Sequence, residues 1–192
     1  PDGTGEIAQE MEISNYRQVR NFNKLGLGNA YKQGFKWAID KNYDFLLTMD
    51  SDGSHHIDEI GDFLSQIPTN DLVIGTRWIS GGQVINWPFY RRWLSKFGTW
   101  YARKMIKLPF ADLTSGFRIY KVSKLKSLDI SEIDAKGYVF QIQMVDLIYR
   151  AGGLIKEVPI TFTERAHGKS KMSGKIAREA FIWITKAGFK RR

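Results

Sequence analysis

The sequence predicts an α/β domain: a mostly parallel sheet flanked by helices and closed by an amphipathic C-terminal helix. Two observations carry that expectation. Compact apolar runs alternate with helical patterns through the first half of the chain, the order that builds parallel sheets. The chain also has 192 residues with 43% hydrophobic and 14% aromatic content, enough for one domain, residues 1–192, with its own core.

The elements follow in order. Asp2 or Thr4 can cap a first helix from Thr4 to about Ile13. Tyr16 to Asn21 alternates and suits a short strand. Gly26 to Lys41 sets Ala30, Phe35, Ala38 and Ile39 on one side of a helix. Tyr43 to Met49 is the compact apolar run of a buried strand. A helix over Asp58 to Gln66 and a strand over Asp71 to Thr76 come next. Phe89 to Ile106 reads as a helix bearing Arg91, Arg92, Lys96, Arg103 and Lys104. Phe117 to Tyr120 and Leu154 to Phe162 read as extended. Phe140 to Ala151 is a helix stopped by Gly152-Gly153, and Ser173 to Phe189 is a basic amphipathic helix. Pro1-Asp2-Gly3-Thr4 reads as a turn entering a helix with no strand before it, so the domain is expected to extend upstream of Pro1.

Composition narrows the chemistry. A formal net charge of +9 favours anionic partners: phosphates, nucleic acid or an acidic membrane surface. The basic residues gather from Arg165 to Arg192. Without cysteine there is no disulfide and no thiolate metal site. No secretory signal opens the chain, and no apolar run is long enough to span a bilayer.

The sharpest motif is Met49-Asp50-Ser51-Asp52-Gly53-Ser54, placed where a strand leaves the sheet. Ligands of open α/β sheets bind at carboxyl ends of strands. Two carboxylates one residue apart can face one hard cation, and the Ser54 hydroxyl can add a third oxygen. A solvated turn is the plain alternative. A calcium loop is excluded, because it needs glycine at its sixth position and here glycine is fourth.

Thr76-Arg77 ends the next strand, so Arg77 should reach the same rim, where an arginine can grip phosphate with two nitrogens. Asn86-Trp87-Pro88-Phe89-Tyr90-Arg91-Arg92-Trp93-Leu94-Ser95 mixes aromatics with arginines. Such a segment suits single-stranded nucleic acid, a membrane interface, or a core helix with charged flanks. Arg165-Ala166-His167-Gly168-Lys169-Ser170-Lys171 is a basic loop able to close over phosphates. His167 is a weak general-base candidate.

In order, Met-Asp-Ser-Asp-Gly-Ser-His, Gly-Thr-Arg-Trp, Gly-Gly-Gln-Val-Ile-Asn-Trp-Pro, Leu-Thr-Ser-Gly-Phe-Arg, Gly-Tyr-Val-Phe-Gln-Ile, Glu-Val-Pro-Ile-Thr-Phe-Thr-Glu-Arg and Gly-Lys-Ser-Lys-Met-Ser-Gly run along nearly the whole chain. The set resembles the dolichol-phosphate (polyprenol-phosphate) mannosyltransferases, inverting enzymes of glycosyltransferase family 2 with a GT-A, or nucleotide-diphospho-sugar transferase, fold. The resemblance implies mannose transfer from GDP-mannose to dolichyl or polyprenyl phosphate, giving a β-linked product. By the same resemblance Asp50, Asp52 and Ser54 hold Mg²⁺ or Mn²⁺. Ser51, Asp52, Arg77, Arg165 and Lys171 contact the donor, Arg91 and Ser95 hold the acceptor phosphate, and Asp50, Asp52 and Arg77 are catalytic. Ser54 departs from the glutamine often found in the family. The family's first strand, with its Pro-Thr-Tyr-Asn-Glu type of motif, and the acidic end of its second strand find no match here. The implied setting is peripheral, on the cytoplasmic face of the endoplasmic reticulum or plasma membrane, with a membrane-anchoring subunit or domain as a further partner and no nucleic acid. A prenyl-phosphate glucosyltransferase using UDP-glucose is the nearest rival. A basic nucleic-acid-binding or non-catalytic module is the rival of another class.

A lipid phosphate is largely ionised at neutral pH, with a second pKa near about 6, so it can attack an anomeric carbon without a general base. Such a site has to position that phosphate and stabilise the leaving diphosphate.

Overall fold

The computed structural model describes residues 3–11, 13–19, 26–130, 133, 139–164 and 174–190. The elements are α1 (Thr4–Glu10), α2 (Leu27–Asp40), β1 (Phe45–Thr48), α3 (Ile60–Gln66), β2 (Leu72–Thr76), β3 (Gln83–Ile85), α4 (Phe89–Ile106), β4 (Arg118–Lys121), α5 (Val122–Lys126), α6 (Val139–Arg150), β5 (Ile155–Pro159), β6 (Thr161–Thr163) and α7 (Gly174–Phe189). Local chemistry explains the main boundaries. Pro88 precedes the first turn of α4, and Lys107, at φ 56, leads out of it toward Leu108-Pro109. Gly152, at φ 67, turns the chain out of α6, with Gly153 N donating to Ile148 O.

The main sheet has the order β1-β4-β2-β5. β4 runs antiparallel to both β1 and β2, while β2 and β5 pair in parallel. Three strands therefore share one direction and β4 is reversed, which interrupts the parallel sheet expected. The reversal follows from the path of the chain. β4 follows the loop at the carboxyl ends of β1 and β2, so it can only run back. Among the described residues β1 is an edge strand. Phe45 is 38% exposed and Leu46 to Thr48 are half-buried, so this run is less enclosed than its apolar sequence predicts. Leu154–Phe162 divides at Ile160: β5 stays in the main sheet, and β6 pairs in parallel with β3 in a small second sheet. Two further expectations change. α1 enters through Gly3 at φ 74 rather than through a side-chain cap. Tyr16–Val19 forms no strand; Tyr16 N closes a turn on Ile13 O, and the segment has no sheet neighbour among the described residues. Arg20 and Asn21 lie outside the described residues.

Strand alternation sorts the core into two layers. Leu72, Ile74 and Tyr120 face Phe35 of α2, Ala102 and Ile106 of α4, and Phe140, Met144 and Ile148 of α6. Val73, Ile119 and Val158 face Phe63 and Ile67, at and just beyond α3. Gly75 lets α3 approach, since a Cβ there would stand 2.8 Å from the Phe63 ring. α7 lies along α4: Tyr101 stacks on Phe181 at 4.7 Å, and the Tyr101 and Thr185 hydroxyls are 2.6 Å apart. Ile184 enters the core, while Phe181, Ile182 and Phe189 stay exposed.

Candidate active site

Because β1 and β2 point the same way, their carboxyl ends bring Asp50 and Arg77 to one rim, as the sequence predicts. Both line a cavity of about 140 Å³, mainly apolar, bounded by the start of α2, one side of α4 and the loop at 114–116.

The turn after β1 is tightly built. Gly53, at φ 74, makes the corner. Asp52 Oδ1 accepts from Ser54 N at 3.1 Å and from Ser54 Oγ at 2.5 Å. Ser54 is fully buried. Its hydroxyl, the third metal oxygen suggested by the sequence, donates to one of the two carboxylates and orients Asp52. Asp50 and Ser51 are exposed. Asp50 N donates to His55 Nδ1 at 3.0 Å, which places the ring proton on Nε2 when the ring is neutral. His55 is 4% exposed and packs against Phe117 and Phe162, and burial lowers its pKa. It is a neutral brace behind Asp50, not a base. His56 is occupied too, with Nε2 2.9 Å from Thr163 Oγ1.

Arg77 behaves differently from expectation. Its two-nitrogen grip closes on Asp112, with Nε 2.6 Å from Oδ2 and Nη2 2.9 Å from Oδ1; Nη2 also donates to Thr114 Oγ1 at 3.0 Å. Arg77 is 7% exposed and Asp112 fully buried, so each requires a counter-charge. Burial opposes ionisation of Asp112, but the Arg77 guanidinium outweighs it and holds the carboxyl below the usual range. Glu157 on β5 fixes the loop beneath, accepting from Ala111 N, Asp112 N and Thr76 Oγ1. The phosphate grip expected of Arg77 is thus occupied by the protein. Its charge reaches the cavity as part of a buried pair.

Arg91 and Ser95 project from successive turns of α4 into the cavity, and Thr99 continues the row one turn further. Arg91 lies 4.2 Å over the Trp87 ring and pairs through Nη1 with Glu164 Oε2. Trp87 is 9% exposed, packed on Trp78 and Phe162 and flanked by both arginines. That placement removes it from any surface role. Arg165, His167 and Lys171 lie outside the described residues. Sequence reasoning missed Asp112, Glu164, His55 and Gln141. A readable signal existed for two of them: an apolar strand ending in arginine demands a carboxylate partner, and Gln141 interrupts the apolar side of a helix.

The arrangement offers two carboxylates, two held arginines and no free base among the described histidines. That set suits binding of phosphorylated groups. A model of the family described as Glycosyl transferase family 2 matches residues 1–129. An undecaprenyl-phosphate mannosyltransferase of Micrococcus luteus is 42% identical over the full chain, which covers 80% of that relative. A polyprenol monophosphomannose synthase of Mycolicibacterium smegmatis is likewise 42% identical over the full chain, which covers 74% of it. Among solved structures, glucosyl-3-phosphoglycerate synthase of Mycobacterium tuberculosis in complex with UDP superposes with a TM-score of 0.55 at 19% identity over 90% of this chain. The chain spans 57% of that solved chain, and the likeness shows the fold alone. By sequence, the chain belongs to glycosyltransferase family 2, among its polyprenyl-phosphate mannosyltransferases.

Proposed function

We propose that the protein transfers mannose from GDP-mannose to a polyprenyl phosphate at the cytoplasmic face of a membrane, with inversion to a β-linked product. The observation that carries this reading is a cavity that gathers Asp50 from the turn after β1, Arg77 from the end of β2, and Arg91 and Ser95 of α4. Donor and acceptor phosphates must approach one anomeric carbon from opposite sides, and the carboxylate turn and α4 stand on different walls. Ser51, Asp52 and the Arg77–Asp112 pair serve the donor side. Arg91 and Ser95 hold the acceptor phosphate, a nucleophile already ionised at neutral pH. Neither described histidine of the site is needed as a base.

Asp50 and Asp52 fit Mg²⁺ or Mn²⁺. They supply the hard oxygen donors that such an ion takes, with water and substrate phosphate left to complete its shell. When bound, the cation supplies Lewis-acid stabilisation of the leaving diphosphate.

The test is radiolabelled sugar transfer to undecaprenyl phosphate. Product from GDP-mannose but not from UDP-glucose is expected; the reverse preference identifies the glucosyltransferase rival, and product from neither overturns the reading.

Glu164 gives a second expectation. It occupies Arg91, so an acceptor phosphate must displace it. Glu164→Gln is expected to lower KM for the lipid phosphate by about fivefold, and Arg91→Ala to raise it about tenfold, with donor KM unchanged in both. A higher acceptor KM in Glu164→Gln would show that the carboxylate orients Arg91 instead.

The membrane contact is proposed on α4, where Phe89, Tyr90, Trp93, Phe97 and Trp100 are exposed, continued by Phe181, Ile182 and Phe189 of α7. No helix of the described residues is long and apolar enough to cross a membrane. Aromatic side chains beside basic ones suit the headgroup layer. Trp93→Ser with Phe97→Ser is expected to cut liposome flotation by about tenfold or more. Unchanged flotation on anionic vesicles would remove this face from the contact.

A further inference from the structure

Among the described residues, polar atoms on three side chains that line the cavity have no hydrogen-bond partner: Thr99 Oγ1, Trp87 Nε1, and both Oε1 and Nε2 of Gln141. Gln141 stands out. It is 1% exposed, in the first turn of α6, with its backbone carbonyl accepting from Arg118 Nη1 at 2.8 Å. That bond fixes the turn against the cavity floor while the carboxamide stays unengaged. Its polar neighbour is Tyr31, whose pKa is pushed up to about 12 by burial, then by Tyr120 and Asp50, against Arg118 and the nearby Gln141 side chain, which pull the other way. Neither carboxamide atom reaches hydrogen-bonding geometry with that phenol. A buried amide left unsatisfied costs about 1–3 kcal/mol, a cost an apolar side chain of similar length avoids. Thr99, 3% exposed on α4, presents the same situation from another wall.

We infer that Gln141, aided by Thr99, binds hydroxyl groups of the transferred hexose and so sets which sugar is accepted. The inference rests on the sugar-transfer reading above. A neutral carboxamide with one donor end and one acceptor end suits a pair of neighbouring hydroxyls, whereas phosphates are served by the charged groups nearer the rim. The anomeric carbon must lie between the Asp50–Asp52 turn and the Arg91–Ser95 row, so the sugar ring falls in the cavity itself. Gly116 lines that space between Tyr31 and Asp50. Tyr31, which is only half-buried, borders the same cavity, its ring stacked on Phe140 at 5.2 Å. A ligand that supplies both bonds removes the cost of the orphaned amide and gains selectivity, because the sugar lacking a matching hydroxyl leaves it unpaired.

The test compares binding of GDP-mannose and GDP by calorimetry, in Mg²⁺, for the wild-type protein, Gln141→Met and Thr99→Val, with thermal melts alongside. Gln141→Met is expected to melt no lower than wild type, to bind GDP as before, and to bind GDP-mannose about tenfold or more weakly. Thr99→Val, which keeps the side-chain shape, is expected to shift GDP-mannose in the same direction. Its shift stands as the measure if Gln141→Met melts early. Steady-state kinetics should show a lower kcat/KM for GDP-mannose with an unchanged KM for the lipid phosphate. Wild-type affinity for GDP-mannose in the folded variants, or equal losses for GDP and GDP-mannose, overturns the inference and leaves mannosyl transfer standing. A wild-type protein that binds GDP-mannose no differently from other sugar nucleotides and transfers no mannose overturns both.

Discussion

Asp112→Asn is expected to destabilise the fold by about 3–5 kcal/mol, because it leaves the Arg77 guanidinium buried without its counter-charge. For a chain of this size that corresponds to a fall in Tm of roughly 10 °C. The geometry sets the scale. Both Asp112 oxygens are taken by Arg77, and Oδ1 also accepts from Thr114 N at 3.2 Å, so an amide nitrogen in either position meets a donor. Arg77→Met in the same chain should restore much of the loss, since an uncharged pair needs no compensation. The pH dependence follows the same cause. The folded-state pKa of Asp112 lies below its ordinary value of 3.8, so its contribution is complete above that value and is lost as pH falls through the lower, folded-state pKa. Wild-type stability should drop in that acid range, and Asp112→Asn should drop less steeply. Urea denaturation across pH measures both. A variant melting within a degree or two of wild type would mean that water satisfies Arg77.

The elements legible in the sequence are those whose signals are local. Phe89–Ile106 is a long run between Pro88 and Leu108-Pro109, and the helix has those bounds. α2, β2, α6 and α7 fall within a residue or two of expectation for the same reason: periodicity and terminal glycines are written in neighbouring positions. The small sheet was not legible. Its two strands have three residues each and pair Val84 with Phe162, far apart in the chain. The direction of β4 was not legible either, because alternation looks the same in a parallel and an antiparallel strand. The site divides along the same line. Asp50 and Arg77 share a cavity as expected from strand ends, and Arg91 and Ser95, which only the family resemblance singled out, line it with them. That Arg77 needs a carboxylate could be read from its strand, but which residue supplies it could not, and Glu164 gave no sign at all, since a lone acidic residue does not announce the cation that folding brings to it. Their presence changes the electrostatics: both arginines are paired with carboxylates before any phosphate arrives.

That pairing makes the carboxylate turn decisive, and Asp50→Ala and Asp52→Ala are each expected to lower kcat/KM by about a hundredfold or more, with the fold intact. In the proposed reaction the leaving diphosphate must disperse charge in a site whose described arginines, Arg77 and Arg91, are already matched by Asp112 and Glu164, so a cation on Asp50 and Asp52 would be the main stabilisation that the described residues can add. A loss of that size, about 3 kcal/mol of transition-state stabilisation, is what removal of one electrostatic group in a preorganised site produces. The two variants should differ in their second effect. Asp50 is exposed at the rim, and its backbone N–H, not its side chain, meets His55, so Asp50→Ala should melt like wild type. Asp52 accepts two hydrogen bonds from the fully buried Ser54, so Asp52→Ala strands the Ser54 hydroxyl and should lower stability by about 1–3 kcal/mol. Divalent-metal titration of activity separates metal loss from damage to the turn: both variants should need far more Mg²⁺ or Mn²⁺ for half-activation. Near-normal turnover of both variants in the presence of a chelator would end the metal assignment, while a stability loss confined to Asp52→Ala would still support the geometry of the turn.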